Sequence, residues 1–277
     1  MLRSILVALD ATPASAAAQR LAIELARRCD CQITGLAILD RDHITGPTAV
    51  GIGGMAYKQH RDRVKLEEAA AFLKQLEQAF QKSCEEAGAL WQVIESEGEP
   101  YRLIERESGR HDLMVIGKDT DFHFEFDPST TQTVERLLQD NPRPLIVCPE
   151  HASADGNVLV TYDGTLQSSR ALHMFALLEH AKSQQVHILS VASDQAEAQR
   201  MASYGAELLT KHGFNVTAHG IASSATPSDI ILSECQTLDA SLIAMGAFGQ
   251  RTWKEFFLGS TTKRLMDRCP CPLFVHH

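Results

Sequence analysis

Apolar positions fall along this chain in two alternating rhythms. Short continuous runs such as Ser4-Ile5-Leu6-Val7-Ala8-Leu9 have the length and composition of strands covered on both faces. Between them lie stretches with helical spacing, the first being Ala14 to Cys29 with Leu21, Ile23 and Leu25. On this pattern the first half continues with strands over 32–39, 90–95, 113–117 and 144–148. Helices are predicted over 60–87, 100–108 and 129–139, and a polar, glycine-bearing connection joins Asp40 to Tyr57. The second half keeps the order. Its strands are predicted over 157–161, 185–192, 214–220, 240–246 and 272–276, its helices over 168–182, 195–212, 227–236 and 260–268. Strands alternating with helices imply βαβ units around a parallel sheet.

Direct matches show that the two halves are copies of one unit. Glu135-Arg136-Leu137-Leu138 followed by Pro142-Arg143-Pro144-Leu145-Ile146-Val147 parallels Lys263-Arg264-Leu265-Met266 followed by Pro270-Cys271-Pro272-Leu273-Phe274-Val275. Leu113 to Gly117 likewise parallels Leu242 to Gly246, and the first strand of each half runs into an aspartate, Asp10 or Asp163. Asp10 and Gly117 are 107 positions apart, Asp163 and Gly246 only 83, and the extra 24 fit the long connection and helix after the second strand. The predicted fold class is therefore α/β: two tandem, doubly wound, five-stranded parallel-sheet domains of Rossmann-like type. The polar linker His151 to Gly156 divides them into 1–150 and 151–277.

Composition narrows the classes. No run approaches the roughly 20 apolar residues of a membrane span, and the N-terminus has neither the apolar length nor the cleavage site of a signal peptide, so a cytoplasmic location is expected. The net charge of -9 argues against a phosphate-tracking nucleic-acid surface. The seven cysteines include Cys29-x-Cys31 and Cys269-x-Cys271, whose single-residue spacing is shorter than in zinc knuckles. Buried thiols are the expected state.

The informative loop is Ala244-Met245-Gly246-Ala247-Phe248-Gly249, then nine residues, then Gly259-Ser260-Thr261-Thr262. It runs from the end of a strand to the start of a helix, the place where open parallel sheets bind ligands. Glycine there lets backbone N–H groups come close to a phosphate. Ser260 is expected to cap the helix, which makes an anion site with the first free N–H groups. Arg251, Lys254, Lys263 and Arg264 add positive potential. The pattern is neither a P-loop nor a dinucleotide Gly-x-Gly-x-x-Gly.

With Gly246, Gly249, Gly259 and Ser260 spaced as Gly-x2-Gly-x9-Gly-Ser, the chain resembles the universal stress protein family. Its tandem type, with two units on one chain, is the nearer likeness. That resemblance implies an ATP or AMP site in the second half. Asp163 and the backbone near Val191 would hold the adenosine, while Met245, Gly246, Gly249, Gly259, Ser260 and Thr261 would line the phosphates, with a divalent ion such as magnesium on their oxygens. Asp163 also fits a plain turn residue at a strand end. The family's last strands often pair across a dimer; here the strands at 145–147 and 273–275 could pair within one chain, and further homodimerisation stays open.

The first half departs from the motif. Thr131 and Gln132 stand where Gly259 and Ser260 do, and no glycine follows Gly117 by three. Lys118 to Pro128 carries Asp119, Asp121, Glu125 and Asp127, which would repel a triphosphate. Asp119, Asp121 and His123 are candidate metal ligands, against a plain solvated acidic loop. Phe122, Phe124 and Phe126 alternate with them and read as core packing or as an exposed apolar strip. No catalytic set stands out. The function expected is a nucleotide-binding stress-response regulator; the alternatives are a nucleotide-independent adaptor and a slow ATPase.

Overall fold

The computed structural model describes residues 1–46, 54–122, 132–246 and 260–277. The first half runs β1 (Ser4–Leu9), α1 (Pro13–Cys29), β2 (Gln32–Leu39), α2 (Arg41–Ile44), α3 (Met55–Ala87), β3 (Trp91–Glu97), α4 (Pro100–Ser108), β4 (Leu113–Gly117), α5 (Gln132–Asp140) and β5 (Leu145–Cys148). The second half runs β6 (Asn157–Thr161), α6 (Leu166–Leu178), β7 (Gln185–Ala192), α7 (Gln195–Lys211), β8 (Asn215–Ala222), α8 (Pro227–Thr237), β9 (Ala240–Gly246), α9 (Ser260–Arg268) and β10 (Leu273–His276). Among these described residues no helix is long and apolar enough to cross a membrane.

All the strands join one sheet in the order β3-β2-β1-β4-β5-β10-β9-β6-β7-β8. Pairing is parallel within each half. The halves meet where β5 and β10 run antiparallel, with Leu273 opposite Val147, Phe274 opposite Ile146 and Val275 opposite Leu145. The two edges that each unit would otherwise leave open thus satisfy each other. Strand order reverses once in each half, between β1 and β4 and between β6 and β9. In doubly wound sheets, the carboxyl ends of the strands at that reversal flank a crevice.

Helices cover both faces, which is why the strands read as unbroken apolar runs. On one face Leu25, Phe80, Phe175 and Leu209 bring α1, α3, α6 and α7 onto the sheet. On the other, Ile104, Leu137, Ile231 and Leu265 do the same for α4, α5, α8 and α9. Both layers run across the junction. Phe274 of β10 packs edge-on to Phe175 at 5.7 Å and stacks on His180 at 5.4 Å. Arg28 of α1 donates to the Ala154 carbonyl at 2.7 Å and pairs with Asp155, so charge pairing and apolar packing tie the same halves.

Helix ends differ from the periodicity in instructive places. The apolar rhythm predicts helix 168–182, yet α6 stops at Leu178. Glu179 turns left-handed at φ 56°, which swings His180 down between Phe175 and Phe274. In the first turns, Thr12 accepts from the Ser15 N–H at 3.1 Å and Thr165 accepts from the Ser168 N–H at 3.2 Å. Both halves therefore start their first helix with the same Asp-x-Thr-x-x-Ser cap, which satisfies an otherwise orphaned donor.

Candidate functional site

The crevice of the second half lies between the carboxyl ends of β6 and β9, where Val160 faces Ala244 in register. Gly246 ends β9 and packs directly on the start of α6. A Cβ built there would stand 2.6 Å from Ser168 N and 2.6 Å from Gln167 C. Gly117 at the end of β4 has the same constraint, with Ser15 N at 2.4 Å. This glycine is thus required first by helix–strand packing in both halves, whichever ligand the crevice takes.

Asp163 follows β6 and is exposed at the mouth of the crevice. Its Oδ1 accepts from the Thr165 N–H at 3.0 Å and from the Thr165 hydroxyl at 2.7 Å. Thr165 meanwhile caps α6, so one threonine fixes the helix start and the aspartate rotamer together. The turn role and an open carboxylate are compatible here. Val191, partly exposed near the end of β7, pairs with Ile221 of β8. Beneath it the Ser190 hydroxyl donates to the Tyr162 carbonyl at 2.5 Å, which pins the chain just before Asp163. The Met245 side chain is buried in the core on the α8–α9 face, leaving only its backbone for the crevice.

Ser260 is the first helical residue of α9 rather than the residue before it, one position later in the helix than capping requires. It is exposed, Thr261 is half-buried and Thr262 is buried. The first N–H groups of a helix lack intrahelical partners and attract anions. Of the expected basic residues, Lys263 is exposed, while Arg264 is paired with Asp229 of α8 at 2.8 Å. Gly249, Gly259, Arg251 and Lys254 lie outside the described residues, as do His123, Phe124, Phe126 and Thr131.

Two neighbours of the crevice went unnoticed in the sequence. His276 pairs with Gly246 across β10 and β9, so the end of the last strand adjoins the strand-end glycine. Burial first, then the charge of His277, Arg170 and Arg143, pushes the His276 imidazole down to about 4, and it is neutral at pH 7. Its Nδ1 is buried with no partner. Arg170, exposed on α6, brings positive charge to this end of the sheet. The signal for His276 was the parallel pairing of the last two strands, which makes their final residues neighbours.

The equivalent crevice of the first half is closed by its own chain. Asp10 is 8% exposed; its Oδ1 accepts from the Ala11 N–H at 2.7 Å and its Oδ2 from the Asp121 N–H at 3.2 Å. The segment after β4 therefore sits on the aspartate, with Asp121 1% and Phe122 4% exposed. Burial, with Asp121 nearby as a lesser cause, raises the Asp10 carboxyl to about 6. Phe122 joins the core, as its packing reading expects. Asp119 lines a separate cleft of about 230 Å³ with Lys118, Glu135, Lys263 and Asp267. Among the described residues, three or more metal-ligating side chains meet only at Cys235, Cys269 and Cys271.

A doubly wound α/β unit repeated in tandem, with the strand-end aspartate buried in one half and exposed in the other, is the class of protein that fold and site define. The sequence profile of the universal stress protein family matches residues 1–134 and 156–277, and the chain belongs to that family. It is 24% identical over 186 residues to the universal stress protein Slr1230 of Synechocystis, an alignment covering 66% of this chain and 64% of that relative. In fold it is similar to a universal stress protein from Archaeoglobus fulgidus, with a TM-score of 0.68 at 21% identity over 98% of this chain and 97% of that one. A functionally unknown protein from Pseudomonas aeruginosa, PA1789, gives a TM-score of 0.55 at 16% identity over 99% and 92%.

Proposed function

We propose that this chain is a stress-response regulator whose second half, 151–277, binds one ATP or AMP, while the first half, 1–150, keeps the fold without the ligand. The observation that carries this reading is the exposed Asp163 at the strand reversal, in the half that also has Gly-x2-Gly-x9-Gly-Ser. Asp163 and the backbone near Val191 would take the ribose and adenine edge. Gly246, Gly249, Gly259, Ser260 and Thr261, with the backbone of Met245, would cradle the phosphates.

The donor set suits an anion. Free helix N–H groups, Lys263 and Arg170 are positive, and three-residue carboxylate clusters are absent from the crevice among the described residues. Magnesium would accordingly ride on phosphate oxygens rather than in a protein cage. Among the described residues of the crevice no side chain is placed as a base for hydrolysis, and the proposed output is occupancy rather than turnover. The ligand-bound form would present a changed surface to a protein partner or to a second copy of the chain, in the cytoplasm.

Isothermal titration of the full chain with ATP and with AMP, with and without magnesium, tests the proposal. One site per chain is expected, lost in a Gly259→Asp/Ser260→Ala variant. A chain that takes up no nucleotide at millimolar concentration, after any carried-over ligand has been removed, is an adaptor instead.

A further inference from the structure

A lone cysteine and a Cys-x-Cys pair more than thirty positions later converge on the amino-terminal edge of β9 and β10, the end of the sheet opposite the crevice. Cys235 lies near the end of α8. Cys269 and Cys271 flank Pro270 in the turn between α9 and β10. Cys235 Sγ is 3.5 Å from Cys271 Sγ, Cys271 Sγ is 3.5 Å from Cys269 Sγ, and all three sulfurs lie within 4.8 Å of one another. Cys235 and Cys271 are 2% and 7% exposed, and Cys269 is half-buried.

The duplication supplies a control. Counting from Pro100 and Pro227, Cys235 corresponds to Ser108; counting from Arg136 and Arg264, Cys269 and Cys271 correspond to Asn141 and Arg143. In the first half Ser108 and Asn141 are hydrogen-bonded at 2.6 Å, and Asn141 donates to the Arg143 carbonyl at 2.8 Å. An ordinary polar network thus closes this corner there, and the second half replaces all three of its residues by thiols. Isolated buried thiols such as Cys84 and Cys148 serve as small apolar side chains. Three in mutual contact have a further use. Zinc–sulfur bonds of about 2.3 Å place tetrahedral sulfurs roughly 3.8 Å apart, so the two 3.5 Å pairs need open by only a few tenths of an ångström, and the third pair already lies within 4.8 Å.

We propose that Cys235, Cys269 and Cys271 bind one thiophilic d10 ion, zinc(II) or copper(I), clipping α8 to the α9–β10 turn. Thiolate sulfur selects this class of metal over magnesium or calcium. Each thiol loses its proton to solvent as its metal–sulfur bond forms, and no electron is transferred. Three sulfurs complete copper(I); zinc would add water on the half-exposed Cys269 side. The proposal stands independently of the nucleotide crevice.

The test uses the full chain, reduced and stripped of metal in oxygen-free buffer. Cobalt(II) and zinc(II) are titrated in one arm, and copper(I) against a copper(I) chelator in the other. One ion per chain is expected, with thiolate-to-cobalt charge-transfer absorption if the site is tetrahedral, and a preference for copper(I) if it is trigonal. In the unaltered chain the bound ion should protect Cys235, Cys269 and Cys271 from alkylation, read by mass spectrometry, while Cys29 reacts as before. Cys235→Ser should weaken binding about a hundredfold or more, and Cys29→Ser/Cys31→Ser should leave it unchanged. The proposal is overturned if neither ion binds stoichiometrically, if the three thiols alkylate equally with and without metal, or if Cys235→Ser binds like the parent.

Discussion

Asp10 and Asp163 occupy the same place in two copies of one fold and lead different lives. Both follow the first strand of a half, and both stand before a threonine that caps the next helix. Asp10 is covered by the segment after β4 and has both oxygens engaged. Asp163 is exposed, with both of its described hydrogen bonds on one oxygen. The scaffold of strand, cap and strand-end glycine is therefore separable from the site. In the first half Asp121 and Phe122, just after the fourth strand, cover the aspartate; the sequence there is acidic, whereas the second half has glycines at the matching place.

The largest effects should fall where the halves are alike. Gly117→Val and Gly246→Val each force a side chain into the first turn of a helix and should each cost more than about 3 kcal/mol in urea unfolding. A harmless Gly246→Val would mean that this glycine serves the ligand alone and would break the parallel. Next comes pH. Asp10 is raised to about 6 from an unfolded value near 4, so its charged form is disfavoured in the folded chain. Its contribution to stability is therefore complete below about pH 4 and is lost as pH rises through 6. Between 2 and 3 kcal/mol, roughly, should disappear over that window. Asp10→Asn should flatten that part of the stability profile, and an unchanged slope would place the titrating group elsewhere.

A smaller effect sharpens the contrast. Asp163→Asn should weaken ATP or AMP about tenfold, near 1.4 kcal/mol, while stability shifts by less than about 0.5 kcal/mol as for an exposed residue; Asp10→Asn should leave affinity alone. Equal losses of affinity in the two variants would deny the difference between the crevices. Smallest are the caps: Thr12→Ala and Thr165→Ala should each cost about 1 kcal/mol of stability. Only Thr165→Ala should also lower nucleotide affinity, because it releases Asp163.

Much of this was legible in the chain because parallel strands covered on both faces have to be written as apolar runs. The repeated segments around Arg136 and Arg264 made the duplication visible, and the pairing of β5 with β10 was foreseeable from two apolar last strands, each with one edge left open. Other features depend on three-dimensional closure. His180 ends α6 early because the rings of Phe175 and Phe274 within the second half accept it, which helical periodicity cannot express. The closed state of Asp10 arises from a backbone N–H 111 positions away, a donor every residue but proline has and no motif reports. The thiol cluster was split in sequence between a lone Cys235 and a Cys-x-Cys pair, and only the packing of α8 against α9 joins them. His276 went unnoticed as a site residue, although its register with Gly246 puts it beside the crevice.

The most direct test of the central claim is to map where a photoreactive azido-ATP attaches to the intact chain, by peptide mass spectrometry after irradiation with and without excess ATP. One ATP-protected label per chain, on peptides following β6, β7 or β9, is the predicted result. Labelling of the peptides after β1, β2 or β4, or equal labelling of both halves, would contradict it.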